Sequence, residues 1–144
     1  MSDLHEDDLV LWSECQTDLL RRRAAGELVN DTDLDWTNIA EEIESVGSEQ
    51  RHAVESLLVQ AMLHMLRAEA WPLSRDLEHW LAAVRLFRSR AANRFVPSMR
   101  QRLDMPRLYR QALRAMPRLM DGQAPLPVPE TCPVTLDELL SEEP

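Results

Sequence analysis

The sequence predicts an all-α protein: four to five helices packed around one long central helix, with a Pro-rich C-terminal strap and a short final helix. Three observations carry this. Glycine is scarce, at 3 of 144 residues, and β-branched runs are few, which favours helices over strands. Residues 35–67, DWTNIAEEIESVGSEQRHAVESLLVQAMLHMLR, hold the longest run with a helical period. Four prolines then fall within residues 121–133, where no regular helix can form.

The first helix is expected over residues 6–24. Leu9, Trp12, Leu19 and Leu20 supply a partial apolar stripe, acids crowd the first turn, and Arg21, Arg22 and Arg23 the last. That order suits the helix dipole. Gly26 is the expected C-cap, and Asp33 or Asp35 the N-cap of the central helix over 36–70.

On that central helix Ile39, Ile43, Val46, Ala53, Leu57, Ala61 and His64 fall on one face, which reads as core-facing. Glu41, Glu44, Arg51 and Glu55 fall opposite. Gly47 interrupts at a cost of about 1 kcal/mol against Ala, which implies a close neighbour or a bend. Trp71-Pro72 ends the helix, because a residue before Pro avoids the α region.

A third helix runs from a cap at Ser74 or Asp76 to about Arg94, with Leu77, Trp80, Leu81, Val84, Phe87 and Ala91 as its stripe. A fourth starts at Pro97-Ser98 with Ser98 as candidate N-cap. Its apolar positions are Met99, Leu103, Leu108, Ala112, Ala115 and Leu119, with a kink or break at Pro106. Residues 121–133 should run extended. Thr135-Leu136-Asp137-Glu138 is a capping box opening a final helix over 136–141.

A length of 144 residues reads as one domain, 1–144, large enough to bury roughly 70% of the surface its unfolded chain exposes. No apolar run approaches the ~18–20 residues of a membrane span, and the acidic start is unlike a secretory leader. The cysteines, Cys15 and Cys132, are distant and unpatterned, which points to a reducing cytoplasm.

The net charge of −9 hides a segregation. Residues 1–49 carry −11, residues 50–120 carry +8, and residues 121–144 carry −6. The expectation is that the acidic ends fold against the basic middle. All 16 basic residues are arginine, which reads as composition bias.

Several stretches together resemble the bacterial domain-of-unknown-function family 29. They are DWTNIAEEIESVGSEQR at 35–51, LHMLR at 63–67, and the Trp80, Val84, Arg88 spacing. Pro97-Ser98-Met99-Arg100 and PETCPVTLDELL at 129–140 complete the set. The resemblance covers nearly the whole chain. It implies a compact all-helical fold and a bacterial source, and no activity, cofactor or substrate.

Each candidate site has a plainer reading. Glu49 and His52 have the spacing of half a carboxylate-bridged di-iron site, but only one copy is present and solvated polar residues read as well. His64 could act as acid or base with Arg88 or Trp80, Glu42 lying near its face several turns away. A core histidine bonded to a backbone carbonyl serves equally. Glu41, Glu42 and Glu44 could bind a metal, but adjacent carboxylates splay apart on a helix; the plainer reading is that one of them meets an arginine of the third or fourth helix and the others are solvated. Arg107, Arg110, Arg114 and Arg118 form a basic stripe that could contact phosphate, against an acidic chain with few aromatics.

The reading is therefore a non-enzymatic protein–protein interaction module with no cofactor and no membrane partner. It would use a helical surface, the acidic tail or self-association. Nucleic-acid association through the arginine stripe is the alternative, and a metal-assisted or acid/base enzyme around His64 or Glu49 and His52 the third.

Overall fold

The computed structural model describes residues 3–141. It is all-α. Six α-helices follow in order: α1 (Leu4–Asp7), α2 (Leu9–Ala24), α3 (Trp36–Ala70), α4 (Leu77–Arg94), α5 (Met105–Arg114) and α6 (Leu136–Leu140). Short 3-10 turns occupy Asp31–Asp33 and Pro97–Arg102. The chain divides into two compact units, Met1–Ser48 and Glu49–Pro144.

In the first unit, the expected helix over 6–24 is broken at Asp8. Its backbone leaves the helical region (φ −150°, ψ 87°), and its carboxylate accepts from the Leu11 N–H to cap α2. Asp3 caps the four-residue α1 in the same way. Gly26 follows the α2 C-cap in the left-handed region (φ 88°), where the Glu27 N–H returns to the Arg22 carbonyl. Asp35, not Asp33, caps α3: its Oδ1 lies 3.4 Å from the Asn38 N–H.

The core of this unit is thin. Trp12, Leu34 and Ile39 are buried, with Leu19, Leu20 and Val29 half-buried against them. At about 1.5–3 kcal/mol per buried large side chain, three residues do little to offset the ordering of some forty. A polar network therefore does much of the joining. The Trp12 indole N–H donates to Asp35 Oδ2 at 2.9 Å, Asn38 Nδ2 to the same oxygen at 2.8 Å, and the Asp35 N–H to Gln16 Oε1 at 2.9 Å.

The second unit holds the main core. Val54, Leu58, Met62 and Leu66 recur at four-residue intervals along α3 and are buried with Ala91, Leu108, Tyr109 and Ala112 from α4 and α5. Leu136 and Leu139 of α6 join the same cluster. The buried arc is thus centred about one residue, ~100°, away from the stripe read in the sequence. Ile43 and Val46, expected in the core, are 70% and 62% exposed. Glu55, expected in solvent, is only 8% exposed.

Helix α3 passes through Gly47 unbroken, and a Cβ there would meet nothing within 4 Å, so no neighbour in the described chain requires it. The fourth helix breaks, as Pro106 implied. Residues 97–102 are 3-10, Val96 rather than Ser98 is their cap, and α5 restarts behind the Asp104 cap with Pro106 in its first turn. It ends at Arg114, so Ala115 and Leu119 are exposed beyond it rather than buried.

The strap is extended, as its prolines dictate. Met120 and Gln123 pair across Asp121 and Gly122, both at positive φ (50° and 77°), which is the two-residue turn that Asp-Gly favours. The strap then closes the C-terminus of α3: the Leu126 N–H donates to the Ala70 carbonyl at 2.9 Å and Trp71 Nε1 to the Gln123 carbonyl at 3.1 Å. Thr135 caps α6 through the Glu138 N–H at 3.1 Å, which is the anticipated capping box.

Candidate functional site

Several polar side chains of the second unit are committed to structure. Glu55 sits on α3 between Val54 and Leu58. Arg51, one turn earlier, donates to its Oε1 at 3.2 Å, and Arg107 of α5 donates to its Oε2. A carboxylate this buried needs both partners, because desolvation of an unpaired charge costs several kcal/mol. This clamp was missed in the sequence. Its signal was there, since Arg51 and Glu55 stand at the i, i+4 spacing of a helical ion pair.

His64 is half-buried and its Nδ1 lies 2.7 Å from the Gln60 carbonyl, so that nitrogen carries the proton and donates. Its ring leans on Phe87 at 5.4 Å. Arg88 reaches the C-terminal end of α6 instead, donating to the carbonyls of Leu139, Glu138 and Ser141 at 3.1, 2.8 and 2.9 Å. Trp80 is buried with Ala70 and Trp71. Glu42 belongs to the first unit, where its Oε1 meets His5 Nε2 at 2.7 Å. The carboxylate of the Glu41, Glu42, Glu44 cluster that finds a partner therefore finds a histidine of α1, not an arginine.

That hydrogen bond raises the His5 pKa above its ordinary 6.5, with the nearby Asp3 and Asp35 carboxylates adding to it. The ring also stands edge-on to Trp12, 4.7 Å between centroids. Asp35 is held below the usual carboxylate range, chiefly by the Asn38 amide and then by the Trp12 indole.

Glu49 and His52 are both exposed on α3, and no group of three or more potential metal ligands gathers among the described residues. Of the arginine stripe, Arg107 is held by Glu55, Arg110 and Arg114 are exposed on α5, and Arg118 lies past the end of the helix. The basic middle meets the acidic tail through Arg100 and Asp137 at 2.8 Å. Three acids of the first unit meet arginines of that unit: Arg22 binds Asp18 and Glu27, and Arg23 binds Asp31.

What is left uncommitted is surface. In the second unit a groove of about 490 Å³ has Ala53 and Leu57 of α3 below Arg90 and Arg94 of α4. A second, of about 560 Å³, lies between Trp71–Arg75 and the Asp121-Gly122 turn. In the first unit α3 exposes Trp36, Ala40, Ile43 and Gly47 on successive turns. Side chains so arranged can bury area against a partner, and nowhere among them do a nucleophile and base stand within hydrogen-bond reach.

These features define a small all-α protein that exposes apolar side chains on α3 and carries two open grooves in its second unit. The model for Domain of unknown function DUF29 matches residues 4–143, and the chain belongs to that family. A crystal structure of an alpha-helical protein of unknown function from Rhodospirillum rubrum ATCC 11170 has the same fold. It superposes with a TM-score of 0.66 at 24% sequence identity, covering 99% of this chain and 92% of that one. Comparison with curated proteins gives no match. No helix among the described residues is long and apolar enough to cross a membrane.

Proposed function

We propose that this chain is a non-enzymatic, cytoplasmic protein–protein interaction module of bacterial origin, and that it docks its partner on the first half of α3. The carrying observation is the exposure of Ile43 and Val46, at 70% and 62%, on an ordered helix that also exposes Trp36. Single exposed apolar residues are ordinary, but large ones on adjacent turns of one helix mark an interaction face. Burying that face would contribute about 25 cal/mol per Å² of apolar area.

The helical surface is favoured over the acidic tail as the docking element. Leu136 and Leu139 are buried, and Arg88 and Arg100 hold the tail through its carbonyls and Asp137. Nucleic-acid association keeps Arg110 and Arg114 but loses Arg107 to Glu55. The two unpaired, distant cysteines support a reducing compartment.

A photoreactive amino acid placed at position 43 in cells tests the reading. The expected product is a protein adduct that protease removes and nuclease does not. A nuclease-sensitive adduct, or none, would overturn it.

A further inference from the structure

We propose that the partner is a second copy of this chain, the acidic first unit of one copy docking on the arginine-rimmed groove of the other's second unit. This rests on the interaction-module reading and names the occupant. The groove offers what an acidic amphipathic helix requires. Ala53 and Leu57 give an apolar floor, Ser56 and Asn93 line it, and Arg90 and Arg94 stand one turn apart on α4 at its rim. Neither arginine makes an ion pair among the described residues.

Residues 36–47 are such a helix. Ile43 is the side chain for the floor. Glu44 lies about 100° round the helix from Ile43, at the edge of the Trp36, Ala40, Ile43 and Gly47 stripe, and Glu41 one turn before it and farther round; both are exposed and neither is in an ion pair among the described residues. Carboxylates three residues apart and guanidiniums four apart both span about one helical turn, so the two pairs match in spacing. Association of two like stripes is disfavoured, because it would set Glu41 and Glu44 of each copy against the same carboxylates of the other.

Gly47 adds an independent indication. It costs α3 about 1 kcal/mol relative to Ala. Its Cβ position is open, so nothing in the described chain recovers that cost, whereas a second backbone packed against this turn would.

The test is the solution mass of the purified full chain by light scattering behind a sizing column, over a concentration series. Mass should rise with concentration at low salt. It should return to the monomer at about 1 M salt, where the screening length is about 3 Å. Arg90→Glu with Arg94→Glu, and separately Glu41→Arg with Glu44→Arg, should each weaken self-association at least about tenfold. Mixed together, the two variants should associate as neither does alone. All four residues are exposed, so circular dichroism should match wild type, and Arg90→Ala with Arg94→Ala is the milder variant if it does not.

A monomer at every concentration, association indifferent to the reversals, or a mixture that restores nothing would overturn the proposal. A monomer whose position-43 probe still captures a different protein overturns self-docking alone. A monomer with no protein adduct overturns the interaction-module reading as well.

Discussion

Glu55 should be worth less than the two arginines that hold it. Its side chain is 10% exposed, while those of Arg51 and Arg107 are 27% and 43% exposed. Replacing both arginines by alanine strands a carboxylate in the core of the second unit. Breaking a buried pair in this way costs about 3–5 kcal/mol, a large share of the ~5–15 kcal/mol that holds a domain together. Arg107→Ala alone leaves Arg51 Nε at 3.2 Å from the carboxylate, and about 1–2 kcal/mol is expected.

Glu55→Leu removes the buried charge itself. It leaves two guanidiniums that already face water and a site of nearly the right volume among apolar neighbours, so the expected cost is below about 1.5 kcal/mol. In that background Arg107→Ala should change stability by less than about 0.5 kcal/mol, because its partner is gone. Urea unfolding at neutral pH reads these differences, provided the slopes agree across the variants. If Glu55→Leu were as damaging as the double arginine variant, the clamp would be a net source of stability and the reasoning wrong.

Three further outcomes follow from the same contacts. The raised His5 pKa means that its bond to Glu42 stabilises the first unit fully below pH 6.5 and loses that contribution as pH rises through the folded value. Amide protection factors over residues 4–24, which divide out the intrinsic base-catalysed rise of exchange with pH, should therefore fall on the alkaline side, and His5→Gln should flatten that fall. Gly47→Ala should stabilise the monomer by about 0.5–1 kcal/mol in thermal unfolding, since its methyl group meets nothing; a loss would reveal a contact that the chain does not display. Tyr109→Phe removes the hydroxyl that donates to the Pro129 carbonyl at 2.5 Å. It should cost about 1 kcal/mol and speed proteolysis within residues 121–133, and unchanged cleavage would show the strap to be held by its other bonds alone.

Much of this architecture was legible because local chemistry decides it. The central helix runs from Trp36 to Ala70 as its period and the Trp71-Pro72 stop require, and Thr135 caps α6 as its capping box requires. The break at Asp8 was not legible: an Asp in an acidic run reads equally as first-turn residue or cap, and the choice falls to Asp8 bonding the Leu11 N–H. The phase of α3 was missed for a different reason. Between Ala53 and Leu66 apolar residues are so dense that periodicity selects no single face, and packing by α4, α5 and α6 selects it instead. Ile39 of the expected stripe is buried, but carrying its phase on through Ile43 and Val46 took exposed residues for core. That error also hid Glu55, whose burial depends on Arg107, 52 positions away in sequence.

The most direct test of the central claim is the unfolding stability of the Ile43→Glu, Val46→Glu double variant at a concentration where wild type is monomeric. If the stripe exists for a partner, the variant should unfold within about 0.5 kcal/mol per site of wild type, as exposed positions do. A loss of more than about 4 kcal/mol, the range for deleting two buried aliphatic side chains, would place Ile43 and Val46 in the core and contradict the account.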